Sequence, residues 1–212
     1  MVLSHSVNAS DLILKVDEDG DTALHFASTK EVSQLLVETV DKLKTPDLLW
    51  STSKDPYRNK FTPLDNAVND DRVDVVEYLC SLGKDNPSLL KGGCYLPSYT
   101  PLHEATSKKV AKVLIASVPE KNQLSFLLSK DEVHWTPLHR AVMANCYEVA
   151  EYLCSLSTDL IFCGDRWGYT ALHKVKTLKM AKLLVEAVPL AQRESYITSI
   201  NVDRRIVFCH YK

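Results

Sequence analysis

Four histidines in this chain, His25, His103, His139 and His173, each stand three residues after a threonine: Thr22, Thr100, Thr136 and Thr170. Imidazoles recurring in a fixed pattern are the raw material of zinc sites and of general acid–base pairs. The sequence around them argues against both uses. Each histidine closes a tetrapeptide, Thr-Pro-Leu-His or Thr-Ala-Leu-His, and a fifth copy, Thr62-Pro63-Leu64-Asp65, is altered at its last position. The threonines lie 40, 38, 36 and 34 residues apart. Self-similarity at this spacing signals stacked supersecondary units. Equivalent positions in such a stack sit roughly 8–10 Å or more apart, too far for two histidines to share a zinc ion. Other constellations fare no better. Cys146 with His139 and a carboxylate would be a thiol hydrolase, but cysteine and histidine merely occurring together is no signature of one. His134, His139 and Cys146 lack a recognised metal-ligand spacing. No phosphate-cradling glycine loop is present among six glycines. The expectation is a chain that is not an enzyme and that takes no cofactor and no metal.

Elements must position these residues, and the tetrapeptide reads as a helix start. Threonine suits the N-cap, where its hydroxyl satisfies an orphan backbone N–H; losing such a cap costs ~1 kcal/mol. Proline fits the first helical position because its missing N–H had no intrahelical partner. The leucine then points inward, and Ala27, Ala67, Ala105 and Ala141 are small enough for close helix packing. This pattern resembles the ankyrin repeat, whose hallmark is T-P-L-H-x-A, from about Asp17 to Pro189. The resemblance implies an all-α solenoid of stacked helix-turn-helix units with β-turn fingertips, about five repeats plus partial terminal ones. It also implies that the threonine hydroxyl and the imidazole bond to each other and to the neighbouring repeat's backbone, so Thr22, His25, Thr62, Asp65, Thr100, His103, Thr136, His139, Thr170 and His173 are structural. Asp65 in place of histidine removes one such link. The family's turn carries Asp five residues, and Gly two residues, before the threonine. Asp17/Gly20 and Asp165/Gly168 comply, whereas Lys60, Ser98 and His134 replace the glycine.

The copies alternate between two designs. From the threonine to the leucine of the second helix is 17 residues in the second and fourth (Thr62 to Leu79, Thr136 to Leu153). It is 14 in the others (Thr22 to Leu36, Thr100 to Leu114, Thr170 to Leu184). The shortfall is expected in the turn between the two helices. Apolar clusters at Leu48-Leu49-Trp50 and Phe126-Leu127-Leu128, near Pro46 and Pro119, predict short extra helical turns between repeats. The stretch Asp11-Leu12-Ile13-Leu14 matches Asp159-Leu160-Ile161-Phe162 at the same offset before a motif threonine. The expected organisation is therefore a partial or degenerate capping repeat over 1–16, the repeat array over 17–189, and a partial or degenerate repeat over 190–212.

The residue preceding each motif threonine is Asp21, Phe61, Tyr99, Trp135 or Tyr169. Four successive repeats thus carry an aromatic at one position, which in the ankyrin fold lies near the fingertip and faces the concave groove. Stacked at ~10 Å, the four span ~30 Å, and Trp167 adds to the far end. Such rings suit a binding surface because they bury large area at small rotamer cost. They equally suit packing against the neighbouring turn. Phe61, Tyr99, Trp135, Trp167 and Tyr169 are the candidate partner-binding residues. Charge is graded: residues 1–106 carry 10 Lys/Arg against 17 Asp/Glu, and residues 107–212 carry 15 against 10. An acidic first fingertip (Asp17, Glu18, Asp19, Asp21) and a basic fifth repeat (Lys174, Lys176, Lys179, Lys182) are either a solvated surface or an oriented footprint for a partner.

Neither half is basic enough to argue nucleic acid on charge. No apolar run of 18 residues and no basic-then-apolar leader occurs, so neither membrane insertion nor secretion is expected. Six cysteines without a C-x-x-C pair read as free thiols in a reducing, intracellular setting, the cytoplasm. The expected function is a non-catalytic protein–protein interaction module that binds a protein partner on its concave fingertip and inner-helix face. The alternatives are a structural spacer within a longer ankyrin array, or an adaptor or effector that recruits a target protein.

Overall fold

The computed structural model of the protein describes residues 8–54, 61–83 and 99–198. Among these residues every regular element is helical, save an isolated antiparallel bridge between Gly164 and Thr170. Each motif leucine (Leu24, Leu64, Leu102, Leu138, Leu172) is at most 2% exposed. The second-helix leucines Leu79, Leu114, Leu153 and Leu184 are equally sequestered. One continuous apolar core therefore runs along the stack, and the small motif alanines let the helices approach closely.

The two designs differ in a way the residue count alone did not specify. In the second and fourth units the tetrapeptide opens true α-helices, α4 (Pro63–Asn69) and α8 (Pro137–Met143). Each ends with a left-handed residue, Asp71 (φ 56°) or Asn145 (φ 59°). Arg72 N–H then donates to Ala67 O, and Cys146 N–H to Ala141 O, both at 2.9 Å. That six-to-one bond is the Schellman closure, and asparagine and aspartate tolerate its left-handed residue better than most. In the other units the first helix is a single 3₁₀ turn: Ala23–Phe26, Pro101–Glu104 or Ala171–Lys174. The three missing residues come out of the first helix and its C-cap together, not out of the link alone.

Second helices follow: α2 (Lys30–Thr39), α5 (Val73–Leu82), α6 (Lys108–Ala116), α9 (Tyr147–Leu156) and α11 (Leu178–Ala187). In the short units they are capped by Thr29, Ser107 and Thr177, whose hydroxyls accept from the N–H three residues on. The extra turns foreseen near Pro46 and Pro119 are α3 (Thr45–Leu49) and α7 (Glu120–Leu127). The matching stretches at 11–14 and 159–162 fall on two short helices, α1 (Ala9–Ile13, with Leu14 its C-cap) and α10 (Asp159–Phe162), and α12 (Arg193–Ile197) closes the described chain.

Candidate functional site

The fingertip turn places everything that follows. In the fourth unit Asp131 Oδ1 accepts the backbone N–H groups of Val133 and Trp135, while Asp131 N–H donates to Trp135 O. Asp165 makes the same set with Trp167 and Tyr169, and Asp17 with Asp19 and Asp21. Gly20 and Gly168 sit at φ 82° and 81°, and His134 takes the equivalent place at φ 62°. The turn survives loss of its glycine because the aspartate's bonds outweigh the cost of a left-handed histidine, ~1–2 kcal/mol. Lys60 and Ser98, the other two replacements, lie outside the described residues.

Within each motif the backbone N–H of the threonine donates to histidine Nδ1: Thr22 at 2.9 Å, Thr100 at 3.1 Å, Thr136 at 3.2 Å and Thr170 at 3.0 Å. An N–H can only donate, so Nδ1 must be bare and the ring's proton sits on Nε2. That N–H is aimed at the next unit. His25 Nε2 reaches Phe61 O at 3.2 Å, His103 reaches Trp135 O at 3.1 Å, and His139 reaches Tyr169 O at 3.0 Å. Each histidine thus grips the backbone of the residue that carries the next fingertip ring. His173 has the same cap, and its Nε2 has no partner among the described residues. Asp65 keeps the cap by accepting from Thr62 N–H at 2.9 Å and the Thr62 hydroxyl at 2.8 Å.

Burial pushes His103 and His139 down to about 4, so both are neutral at ordinary pH. His25 and His173 are also lowered, again chiefly by burial. Both nitrogens of His25, His103 and His139 are committed to hydrogen bonds, which leaves no lone pair for a metal. Burial likewise raises the Cys146 thiol above its ordinary value, the opposite of what a thiolate nucleophile needs. Cys80 and Cys154 are pushed up to about 11 and about 12 by burial. These two, with Cys146 and Cys163, are free thiols.

The aromatic series is split by the structure. Phe61 and Tyr99 are buried, at 8% and 3% exposure. Tyr99 stacks on His103 with ring centroids 5.0 Å apart and 14° between planes, and its hydroxyl bonds Glu104. Trp135 and Tyr169 are half-buried and Trp167 is exposed. Trp135 Nε1 donates to Asp165 Oδ2 at 3.2 Å, and the ring lies 5.3 Å from both the Arg140 guanidinium and the Lys174 ammonium. Lys174 also sits 4.6 Å from the Tyr169 ring, and Arg166 stacks on Trp167 at 4.0 Å. Trp135 and Arg140 border a hollow of about 320 Å³ between the third and fourth units, with Glu104, Ala105, Ala141 and Met143 among its walls.

Of the cations that frame these rings, sequence reasoning singled out Lys174 in the basic fifth repeat but missed Arg140 and Arg166. Arg140 pairs with Asp131 at 2.8 Å and Lys174 with Asp165 at 3.0 Å. Both cations stand four residues after a motif threonine and both carboxylates five before it, a pairing visible once the copies are aligned. Burial pushes the Asp165 carboxyl up, but Lys174 and the N–H donors of Tyr169, Trp167 and Trp135 together hold it below its ordinary value. The acidic fingertip is real in sequence, and there Asp21 sits 3.5 Å from His25.

Residues 87–162 match the family model for ankyrin repeats (3 copies). Among curated proteins, the chain is similar to one described as a probable 26S proteasome regulatory subunit p28 from Saccharomyces cerevisiae (strain ATCC 204508 / S288c). The two are 27% identical over 169 residues, which is 76% of this chain and 66% of the relative's own length. Among solved structures, the fold is similar to the crystal structure of the ankyrin repeat domain of Bcl-3, a member of the IkappaB protein family. The TM-score is 0.61 at 18% identity, over 81% of this chain and 71% of that one. No helix among the described residues is long and apolar enough to cross a membrane. The motif, its capping geometry and the stacked helices agree: the chain has the ankyrin-repeat fold, and its residues 87–162 match the ankyrin-repeat family model.

Proposed function

We propose that the chain is a non-catalytic interaction module that binds a protein partner across the fingertip and inner-helix face of the array over 17–189, flanked by partial repeats at 1–16 and 190–212. The observation that carries this reading is the set of rings left accessible. Trp135, Trp167 and Tyr169 are each locked in place by a buried aspartate, a cation or the histidine of the preceding unit, yet each keeps surface in contact with water. Rigid aromatics, one of them (Trp135) bordering a hollow of mixed polar and apolar lining, lose little entropy when a partner covers them. Phe61 and Tyr99, buried as they are, serve the packing of the stack. The description of the yeast relative as a regulatory subunit of a larger assembly supports a role exercised on other protein chains.

The test compares partner affinity for the wild type with that for Trp135→Ala and Trp167→Ala. Each substitution is expected to weaken binding at least tenfold, the range of an interface hot spot. Trp167 touches little of the core, so its replacement should leave thermal stability nearly unchanged. Unaltered affinity in both variants would remove this face from the account.

A further inference from the structure

Resting on the reading above, we infer that the face around Trp135, Trp167 and Tyr169 takes an acidic peptide segment with bulky apolar side chains. Five cations belong to this two-repeat stretch: Lys130, Arg140, Arg166, Lys174 and Lys176. Two of them are held by carboxylates, and the geometry of those pairs is lopsided. The Asp131 and Asp165 side chains are 2% and 0% exposed, while Arg140 and Lys174 keep 32% and 17% of theirs. The negative charge is folded inward and the positive charge is turned toward solvent, so an approaching molecule meets cations first. Arg166 and Lys176 are exposed; the exposed acids of the stretch are Glu132 on the fingertip and Glu148, Glu151 and Asp159 on α9 and α10, and half-buried Glu104 lines the hollow.

Ring and cation alternate across the patch: Arg140, Trp135, Lys174, Tyr169, then Arg166 on Trp167. A peptide carboxylate can reach the outward faces of Arg140 or Lys174 while its apolar neighbours cover the rings or enter the hollow beside Trp135. Single-stranded nucleic acid also favours cations interleaved with rings. Two features favour the peptide. The patch covers only two units, roughly 20 Å. The array is acidic at its other end, where Asp17, Glu18, Asp19 and Asp21 crowd one fingertip, so a long polyanion continuing along the groove meets repulsion.

The experiment titrates the protein into a short labelled peptide of alternating glutamate and phenylalanine. It is run beside a matched lysine–phenylalanine peptide and a labelled oligothymidylate, by fluorescence anisotropy at low and at high salt. The glutamate peptide should bind at least tenfold more tightly than either rival and weaken as salt rises. Arg166→Glu with Lys176→Glu should reduce its affinity at least tenfold, whereas Arg166→Lys with Lys176→Arg should retain it, with thermal stability followed in each. Equal binding of the two peptides, tighter binding of the oligonucleotide, or no effect of the charge reversal would each overturn the inference. A protein partner lost in Trp135→Ala whose contact segment is not acidic would also overturn it while leaving the interaction module standing. Failure of Trp135→Ala and Trp167→Ala to alter any partner would instead remove the reading beneath it.

Discussion

Replacing His139 by asparagine separates the two tasks that the motif histidine performs. Asparagine presents a carbonyl oxygen that can accept from Thr136 N–H, as Asp65 does from Thr62, but it is too short to reach Tyr169 O. The lost bridge is one neutral hydrogen bond, and Tyr169 O keeps its bond from Asp165 N–H. His139→Asn should therefore cost about 1–2 kcal/mol. His139→Ala also strips the acceptor from a buried N–H and leaves a hole at a position 0% exposed, so its cost should be about 3–5 kcal/mol. Acid adds a second signature. The folded pKa of His139 is depressed from 6.5 to about 4, so its contribution is fully present above pH 6.5 and is lost as pH falls toward 4. Linkage puts that loss at about 2–3 kcal/mol between pH 7.5 and 4.5. Protonation places a hydrogen on Nδ1, facing the Thr136 N–H that it now accepts. Urea unfolding followed by circular dichroism at both pH values measures all of this. The variants should be less pH-sensitive than the wild type by that margin. Equal cost for asparagine and alanine, or an unchanged pH dependence, would refute the reasoning.

Other perturbations follow from the same geometry. His134→Gly relieves a left-handed residue at φ 62° and should raise stability by roughly 0.5–1 kcal/mol, after allowance for glycine's freer unfolded chain, read as a small rise in Tm. Gly20→Ala places a Cβ 2.8 Å from the Lys54 side chain and 3.0 Å from its backbone nitrogen at φ 82°, and should cost about 1–2 kcal/mol by urea titration. Leu138→Ala, at a fully buried motif leucine, should cost about 2–5 kcal/mol in the same assay. Cys80 and Cys154, buried and hard to ionise, should resist alkylation in the native protein and react on unfolding; mass spectrometry of the labelled peptides distinguishes them from the half-buried Cys146 and Cys163.

The stack was legible in the sequence because capping and inward leucines are local devices repeated in register. Thr22, Thr100, Thr136 and Thr170 needed only their own next three residues to be read as helix starts. The truncation of three first helices to 3₁₀ turns was half legible. The spacing of 14 against 17 showed that residues were missing, but whether a turn or a helix gave way depended on the Schellman closures at Asp71 and Asn145. Ring exposure was not legible at all. Phe61, Tyr99, Trp135 and Tyr169 share one sequence position, yet Tyr99 stacks flat on His103 whereas Trp135 reaches across to Asp165 of the next unit. Periodicity identifies a position, and the neighbouring unit decides how much of it water still touches. The glycine missing at His134 leaves the turn intact, since Asp131 holds it more than the residue at its tip does.

The account turns on a proton carried by Nε2 of each motif histidine and given to the backbone of the following unit. Nitrogen-15 NMR of the imidazoles, with through-hydrogen-bond correlation to the carbonyls of Phe61, Trp135 and Tyr169, observes that proton directly. His25, His103 and His139 should appear as neutral, slowly exchanging Nε2–H tautomers coupled to those three carbonyls. Nδ1–H tautomers, or rings exchanging as freely as exposed His134, would contradict it.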